Sequence, residues 1–223
     1  MGDVRPVLVV TGTKREGAVL GGMTGIQIIA GGGDAKFLTR ALAREAGGAA
    51  GIISFGMGGA LDPALRIGDW VIGTGLVNGE DSCDPRWLIS LAASLPAARI
   101  GTIYADGRLI AKPADKASLH CQTGALAADM ESHIAARAAA EAGLPFAILR
   151  CISDEATAAL PPAIAVAMTP EGGLAMGAVL RSIVSKPSQL PDIAVSLSGF
   201  RRAYAALSVG ARALGPRLAF GHR

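Results

Sequence analysis

Residues 26–46 read IQIIAGGGDAKFLTRALAREA. The apolar run Ile26–Ala30 is too short for a helix and ends in three consecutive glycines, so it predicts a buried strand and a tight turn. Asp34 stands where a helix needs an acceptor for its first free N–H groups. The helix predicted behind it covers Ala35–Ala46, with Phe37, Leu38, Ala41 and Leu42 on one face. Strand, glycine turn and helix in that order form one unit of a parallel sheet with helices on its faces.

Similar units flank it. Val7–Val10 reads as a strand before Gly12, and Gly51–Phe55 as a strand running into a glycine turn, Gly56–Gly59. Further strands are predicted at Trp70–Thr74, Arg99–Tyr104, Arg108–Ile110, Leu126–Asp129 and Phe146–Ser153. Helices are predicted at Arg86–Leu95, Ala114–His120 and Ser132–Ala142, the last closed by Gly143 and Pro145. Residues 170–214 read as mostly helical, interrupted by KPSQLP. The expected fold is α/β: a three-layer sandwich with a central, mostly parallel mixed sheet. The 223 residues suit a single domain, 1–223, with the tail GPRLAFGHR, 215–223, loosely attached.

Composition narrows the function classes. Aromatic residues make up 4% of the chain, so its core must be aliphatic. The net charge of +3 is spread over scattered basic residues, which argues against a nucleic-acid partner. Cys83, Cys121 and Cys151 show no CxxC spacing, so neither a zinc site nor a redox dithiol is expected. Their odd number fits a reducing compartment. The apolar run near the N-terminus is too short for a signal peptide or a membrane span. These features point to a cytoplasmic protein.

Several catalytic patterns start and fail. GTKREGAV at Gly12 has the glycine spacing of a phosphate loop but Ala18-Val19 where Lys-Ser or Lys-Thr belongs. GGGDAK places Lys36 where a dinucleotide loop needs its third glycine. No GxSxG elbow occurs, and His120, His133 and His222 have no metal-ligand spacing, so no metal is expected. The glycine turns still matter, because turns after parallel strands gather at the carboxyl edge of a sheet, where ligands bind. Acids join them there: Glu16 after the first strand, Asp129 and Glu131 at the end of another, and Asp154 after FAILRCIS. In a chain only 17% charged, such convergence suggests a site.

These residues carry a resemblance. GALAADMESHIAARAAAEAGLPFAILRCISDEA resembles the signature of the purine nucleoside phosphorylase/nucleosidase family, which includes a 5′-methylthioadenosine/S-adenosylhomocysteine nucleosidase branch. Asp129-Met130-Glu131 and Ile152-Ser153-Asp154 match that branch's two acidic strand ends, and ISFGMGGALDPALRIGDWVIG and IIAGGGDAKFLTRAL resemble its glycine turns. In GGGDA, ISFG, DMES and VLRSI…KPSQLP the chain resembles more closely a sub-branch, the hopanoid-biosynthesis-associated phosphorylase-like proteins. That likeness implies removal of adenine from adenosylhopane, a nucleoside with a bulky apolar 5′ substituent.

The resemblance implies roles. Asp154 is the acid that protonates the purine N7 as the N-ribosidic bond stretches. Glu131 accepts hydrogen bonds from the ribose 2′ and 3′ hydroxyls, and Met130 packs on the sugar. Leu109 and Ile110 pack the purine, while Met57, Gly58 and Ser153 border the ligand. Asp129 has a supporting role. Glu16 suits a base that deprotonates water, or is a solvated acid beside Lys14 and Arg15. Hydrolysis is therefore expected over phosphorolysis, although Lys14, Arg15, Arg66 and the N–H groups of Gly31–Gly33 keep phosphate open as a co-substrate. No organic cofactor is implied. A homo-oligomer is expected, with transient contact to a membrane surface for a lipid substrate. The small or adaptable residues of Pro161–Leu180 are expected to line an apolar opening, or to form an ordinary core helix. A phosphorolytic enzyme and an inactive purine-nucleoside-binding module are the alternatives.

Overall fold

Along the first strand, successive side chains face opposite sides of the sheet, and each side meets its own layer of helices. In the computed structural model, which describes residues 5–77, 82–161 and 190–221, the strands are β1 (Val7–Thr11), β2 (Ile26–Ala30), β3 (Gly51–Ala60), β4 (Trp70–Leu76), β5 (Arg99–Ala105), β6 (Ala127–Asp129) and β7 (Phe146–Asp154). The helices are α1 (Lys14–Ala18), α2 (Ala35–Glu45), α3 (Pro85–Ser94), α4 (Pro113–Thr123), α5 (Ser132–Ala142) and α6 (Leu190–Ala213). Leu8 and Val10 pack with Leu38 and Leu42 of α2 and Ala135 and Ala139 of α5. Val7 and Val9 pack with Trp87 and Leu91 of α3 and Leu207 and Ala211 of α6. The result is the expected α/β architecture, a helix layer on each side of a central mixed sheet.

The strand order is β2-β1-β3-β6-β5-β4-β7, and β7 also pairs with β3, so the five strands from β3 onward close into a ring. The β3–β6 and β4–β7 pairings are antiparallel and the others parallel. β3 is the hub, because its first half pairs with β1, its end pairs with β6, and β7 pairs with it from Ile52 to Gly59. Between β3 and β7 the register slips: Gly58 faces Ile152 and Gly59 faces Asp154, which leaves Ser153 as an extra residue. Such a bulge twists a strand and re-aims the side chains at its end. Here it falls at the end of β7, beside the acid.

Several sequence expectations need correction. Gly56–Gly59 is no turn. β3 continues through it to Ala60, held by ladders to β6 and β7, and glycine serves there to let neighbouring side chains approach the backbone. Arg108–Ile110 is no strand, since the Asp106 side chain accepts from the Arg108 N–H at 3.0 Å and turns the chain. Phe37 is 45% exposed and lies outside the buried face of α2 formed by Leu38, Ala41 and Leu42. The tail is not loose over the part described. Leu218 and Ala219 are fully buried, the Trp87 indole N–H donates to the Leu218 carbonyl at 2.8 Å, and Phe220 packs edge-on against Trp87. Cys121 is exposed, whereas Cys83 and Cys151 are buried thiols pushed up to about 12, chiefly by desolvation. Apart from Pro161, the segment Pro161–Leu180 lies outside the described residues, as does most of the KPSQLP break at 186–191. Among the described residues no helix is long and apolar enough to cross a membrane.

Candidate active site

The carboxyl ends of β1, β6 and β7 and the glycine-rich end of β3 meet at one cleft. All nine residues singled out from the sequence line it: Glu16 from α1, Met57 and Gly58 from β3, Leu109 and Ile110 from the loop before α4, Met130 and Glu131 after β6, and Ser153 and Asp154 from β7. Thr13, Lys116 and Phe200 line it as well, and sequence reasoning passed over all three.

Glu16 is 4% exposed, so the solvated acid beside Lys14 and Arg15 is ruled out. A capping box at α1 holds it: Glu16 Oε2 accepts from the Thr13 backbone N–H at 2.6 Å and from its hydroxyl at 2.9 Å. Oε1 accepts from the Met57 backbone N–H at 2.7 Å, so the main chain of residue 57 serves here and its thioether does not. Gly56 lies close by with φ +153°, where a Cβ would stand 2.6 Å from Glu16 Oε1. A Cβ on Gly12 would meet Glu16 Oε2 at 3.0 Å and both Glu131 oxygens at 3.4 Å, so the two carboxyls flank this glycine. Burial raises the pKa of Glu16, against the lowering effect of its hydrogen bonds to Met57 and Thr13 and of Arg150.

Glu131 is 8% exposed, and burial pushes it up to about 8. The charges of Asp129 and Glu16 add to that rise, while Arg150 and the Met130 backbone oppose it. At neutral pH Glu131 therefore holds a proton, and its carboxyl can both accept and donate.

Beneath these acids lies a buried ion pair. Arg150 is 2% exposed in the middle of β7, and its Nε donates to Asp129 Oδ2 at 2.8 Å. Its Nη2 donates to the hydroxyls of Ser54 and, at 3.0 Å, Ser132. Asp129 Oδ1 accepts the backbone N–H groups of Glu131 (2.9 Å) and Ser132 (2.8 Å), and Oδ2 also accepts the Ser132 hydroxyl at 2.6 Å. Burial alone would raise this carboxyl, but Arg150 and the Ser132 hydrogen bonds outweigh it and hold it below the usual range. Asp129 thus fixes the turn that presents Glu131. The sequence signal was the single arginine in an otherwise apolar strand, since a buried guanidinium needs a buried acid.

Asp154 is 8% exposed at the end of β7. Ser153 Oγ lies 2.6 Å from its Oδ1 and 3.2 Å from the Gly58 carbonyl. Its Oδ2 accepts from Lys116 Nζ at 2.5 Å. No sequence pattern announces this partner, because Lys116 lies 38 residues earlier on α4 and only the fold joins the two.

The other walls are apolar, from Leu61, Leu109, Ile110, Leu160 and Phe200. The cations lining the cleft among the described residues are Arg108 and Lys116, and each already engages an acid, Asp106 and Asp154 respectively. Arg15 stacks over the Tyr204 ring at 4.6 Å, Arg66 donates to the Pro63 and Leu65 carbonyls, and Lys14 lines a separate groove. The N–H groups of Gly31 and Gly32 are spent on the carbonyls of Thr11 and Gly12. Among the described residues no group of three His, Cys, Asp or Glu is placed to hold a metal ion.

The sequence profile of the phosphorylase superfamily matches residues 1–185. The fold is similar to that of the 5′-methylthioadenosine/S-adenosylhomocysteine nucleosidase of Streptococcus pneumoniae bound to a transition-state inhibitor, at a TM-score of 0.63, 15% identity, and coverage of 94% of this chain and 99% of that one. It is similar to the corresponding Helicobacter pylori nucleosidase bound to butyl-thio-DADMe-Immucillin-A, at 0.60, 16%, 94% and 99%. Futalosine hydrolase of H. pylori matches at 0.58 and 17% identity, covering 82% of this chain and 98% of that one. At these identities the likeness is one of fold. No curated protein matches in sequence.

Proposed function

The chain belongs to the phosphorylase superfamily, and on that premise we propose that it cleaves the N-ribosidic bond of an adenine nucleoside by hydrolysis, with Asp154 as the acid that protonates the leaving base. The observation that carries this reading is the convergence of Asp154, Glu131 and Glu16 on one cleft with apolar walls.

As the bond stretches, its electron pair passes to the purine and positive charge builds on the ribose. Asp154 gives its proton to N7. Glu131 grips the ribose hydroxyls, with Met130 against the sugar and Leu109 and Ile110 against the base. Glu16 takes the proton of the water that adds at C1′. Water is favoured over phosphate because, among the described residues, both cations at the cleft already engage acids and have little charge left to attract a dianion.

The substrate we favour carries a large apolar group at the ribose 5′ carbon, as adenosylhopane does. The motifs shared with the hopanoid-associated branch, the apolar wall of Leu61, Leu160 and Phe200, and the butyl-thio inhibitor held by the H. pylori nucleosidase support it. The same reading has a cofactor-free homo-oligomer in the cytoplasm that touches a membrane surface only to collect its substrate. The test is adenine release from adenosine and from 5′-alkylthioadenosines, with and without phosphate. Free ribose product at a rate indifferent to phosphate, rising with the 5′ alkyl chain, is the expected outcome. A phosphate-dependent rate yielding a ribose 1-phosphate would refute hydrolysis, and a strong preference for plain adenosine would remove the lipid substrate.

A further inference from the structure

Lys116 is 1% exposed, yet its side chain ends at the cleft. Its Nζ has three acceptors for its three hydrogens: Asp154 Oδ2 at 2.5 Å, the Glu155 carbonyl at 2.9 Å and the Ala158 carbonyl at 3.2 Å. Stability alone is a poor reason for such a group, because apolar residues of similar volume commonly replace a buried ion pair without loss. All three acceptors belong to the end of β7 and the loop that follows it, so Lys116 ties the carboxyl of Asp154 and its loop to α4.

The two oxygens of Asp154 are thereby made different. Oδ2 is held by Lys116. Oδ1 meets Ser153 Oγ, whose one hydrogen can go either to Oδ1 or to the Gly58 carbonyl. When that hydrogen turns to Gly58, the serine oxygen can accept from a proton on Oδ1, which leaves the proton on the oxygen that Lys116 does not occupy.

Resting on the reading above, we propose that Lys116 is the positioning residue of the acid: its ammonium fixes Oδ2, leaves Oδ1 to the purine, and balances the carboxylate charge that appears when Oδ1 gives up its proton. In that step the bond between C1′ and the base breaks and its electron pair goes to the base. The proton passes from Oδ1 to the purine nitrogen. Asp154 is left as a carboxylate beside Lys116, which keeps all its hydrogens. A cation at this distance stabilises charge that develops in the transition state, where it is worth most in a site shut off from water.

The test separates help to the leaving group from mere support of the loop. Adenine needs a proton in order to leave, whereas 4-nitrophenolate leaves without one. Wild-type protein is first assayed for adenine release from adenosine and from a 5′-alkylthioadenosine, and absence of release from both would refute the proposed function itself. Lys116→Met is then compared with wild type on the better of these two nucleosides and on 4-nitrophenyl β-D-ribofuranoside. On the adenine nucleoside we expect kcat to fall at least tenfold, part of the ~10²–10⁴ that a general acid supplies, with KM little changed. On the nitrophenyl riboside kcat should stay within about threefold of wild type, because no acid assistance is called on. That second activity also reports an intact fold. Lys116→Gln, which keeps hydrogen-bond donors for the loop carbonyls but has no charge, should show the same split. Equal losses on both substrates, or no loss on either, would overturn the assignment.

Discussion

Replacing Arg150 with methionine removes the guanidinium but keeps most of the volume of the stem. It leaves Asp129, 7% exposed, without its cation, and takes a partner from the hydroxyls of Ser54 and Ser132. At 2.8 Å the Arg150–Asp129 attraction is roughly 6 kcal/mol for an effective dielectric of about 20. Desolvation of both ions offsets much of that gain, but losing one partner of a buried pair still costs about 3–5 kcal/mol. For a domain stable by about 5–15 kcal/mol this is a large fraction. Urea unfolding followed by the fluorescence of the buried Trp87 measures it. Asp129 has a depressed native pKa, so its contribution is present above its ordinary 3.8 and is lost as the pH falls through the native value. The penalty of Arg150→Met should therefore be largest near neutral pH and shrink as the pH falls, first through the raised pKa of the uncovered Asp129 in the variant and then through the depressed wild-type value. The double variant Arg150→Met/Asp129→Asn, which leaves no lone buried charge, should recover at least about half of the loss. A penalty under about 1 kcal/mol for Arg150→Met, or strictly additive losses in the double variant, would refute the reasoning.

Glu131→Gln should lower activity on a ribonucleoside far more than on the matching 2′-deoxyribonucleoside, and equal losses would remove Glu131 from the ribose. The same variant has a stability signature. The native carboxyl keeps its proton up to about 8 against 4.5 in the unfolded chain, so wild-type stability declines as the pH rises across that window, and Glu131→Gln should flatten the decline in a pH series of melts. Gly56→Ala forces a Cβ into a conformation at φ +153° and to within 2.6 Å of Glu16 Oε1; it should cost about 1–3 kcal/mol and reduce activity by displacing Glu16, and a fully active, equally stable Gly56→Ala protein would show that Glu16 need not be held where it is.

The alternation of apolar runs with helical faces made the layers legible, because burial on both sides of a parallel strand leaves a continuous apolar stretch. Clefts at the carboxyl edge follow from the same topology, which is why all nine residues chosen from the sequence line one site. What the sequence hid has physical causes. The Gly56–Gly59 run looked like a turn, since glycine signals both a bend and a strand approached closely by side chains, and only the pairing of β3 with β6 and β7 decides between them. α1 escaped notice because Lys14–Ala18 is short and polar, although Thr13 and Glu16 have capping-box spacing. Lys116 and Phe200 reach the cleft through tertiary contacts that no local pattern encodes. The tail looked frayed for its glycines and basic residues, yet Leu218 and Phe220 dock on Trp87.

In the proposed reaction Asp154 is the acid that releases the base. Asp154→Asn keeps the shape of the side chain and its hydrogen-bonding reach to Lys116 and Ser153 but has no proton to transfer. Release of free adenine from adenosine, followed for wild type and Asp154→Asn at equal concentration of folded protein, is the direct measurement. Steady release by wild type and a loss of at least about 10²-fold in the variant are the expected result of that role. Release by Asp154→Asn at nearly the wild-type rate would contradict it.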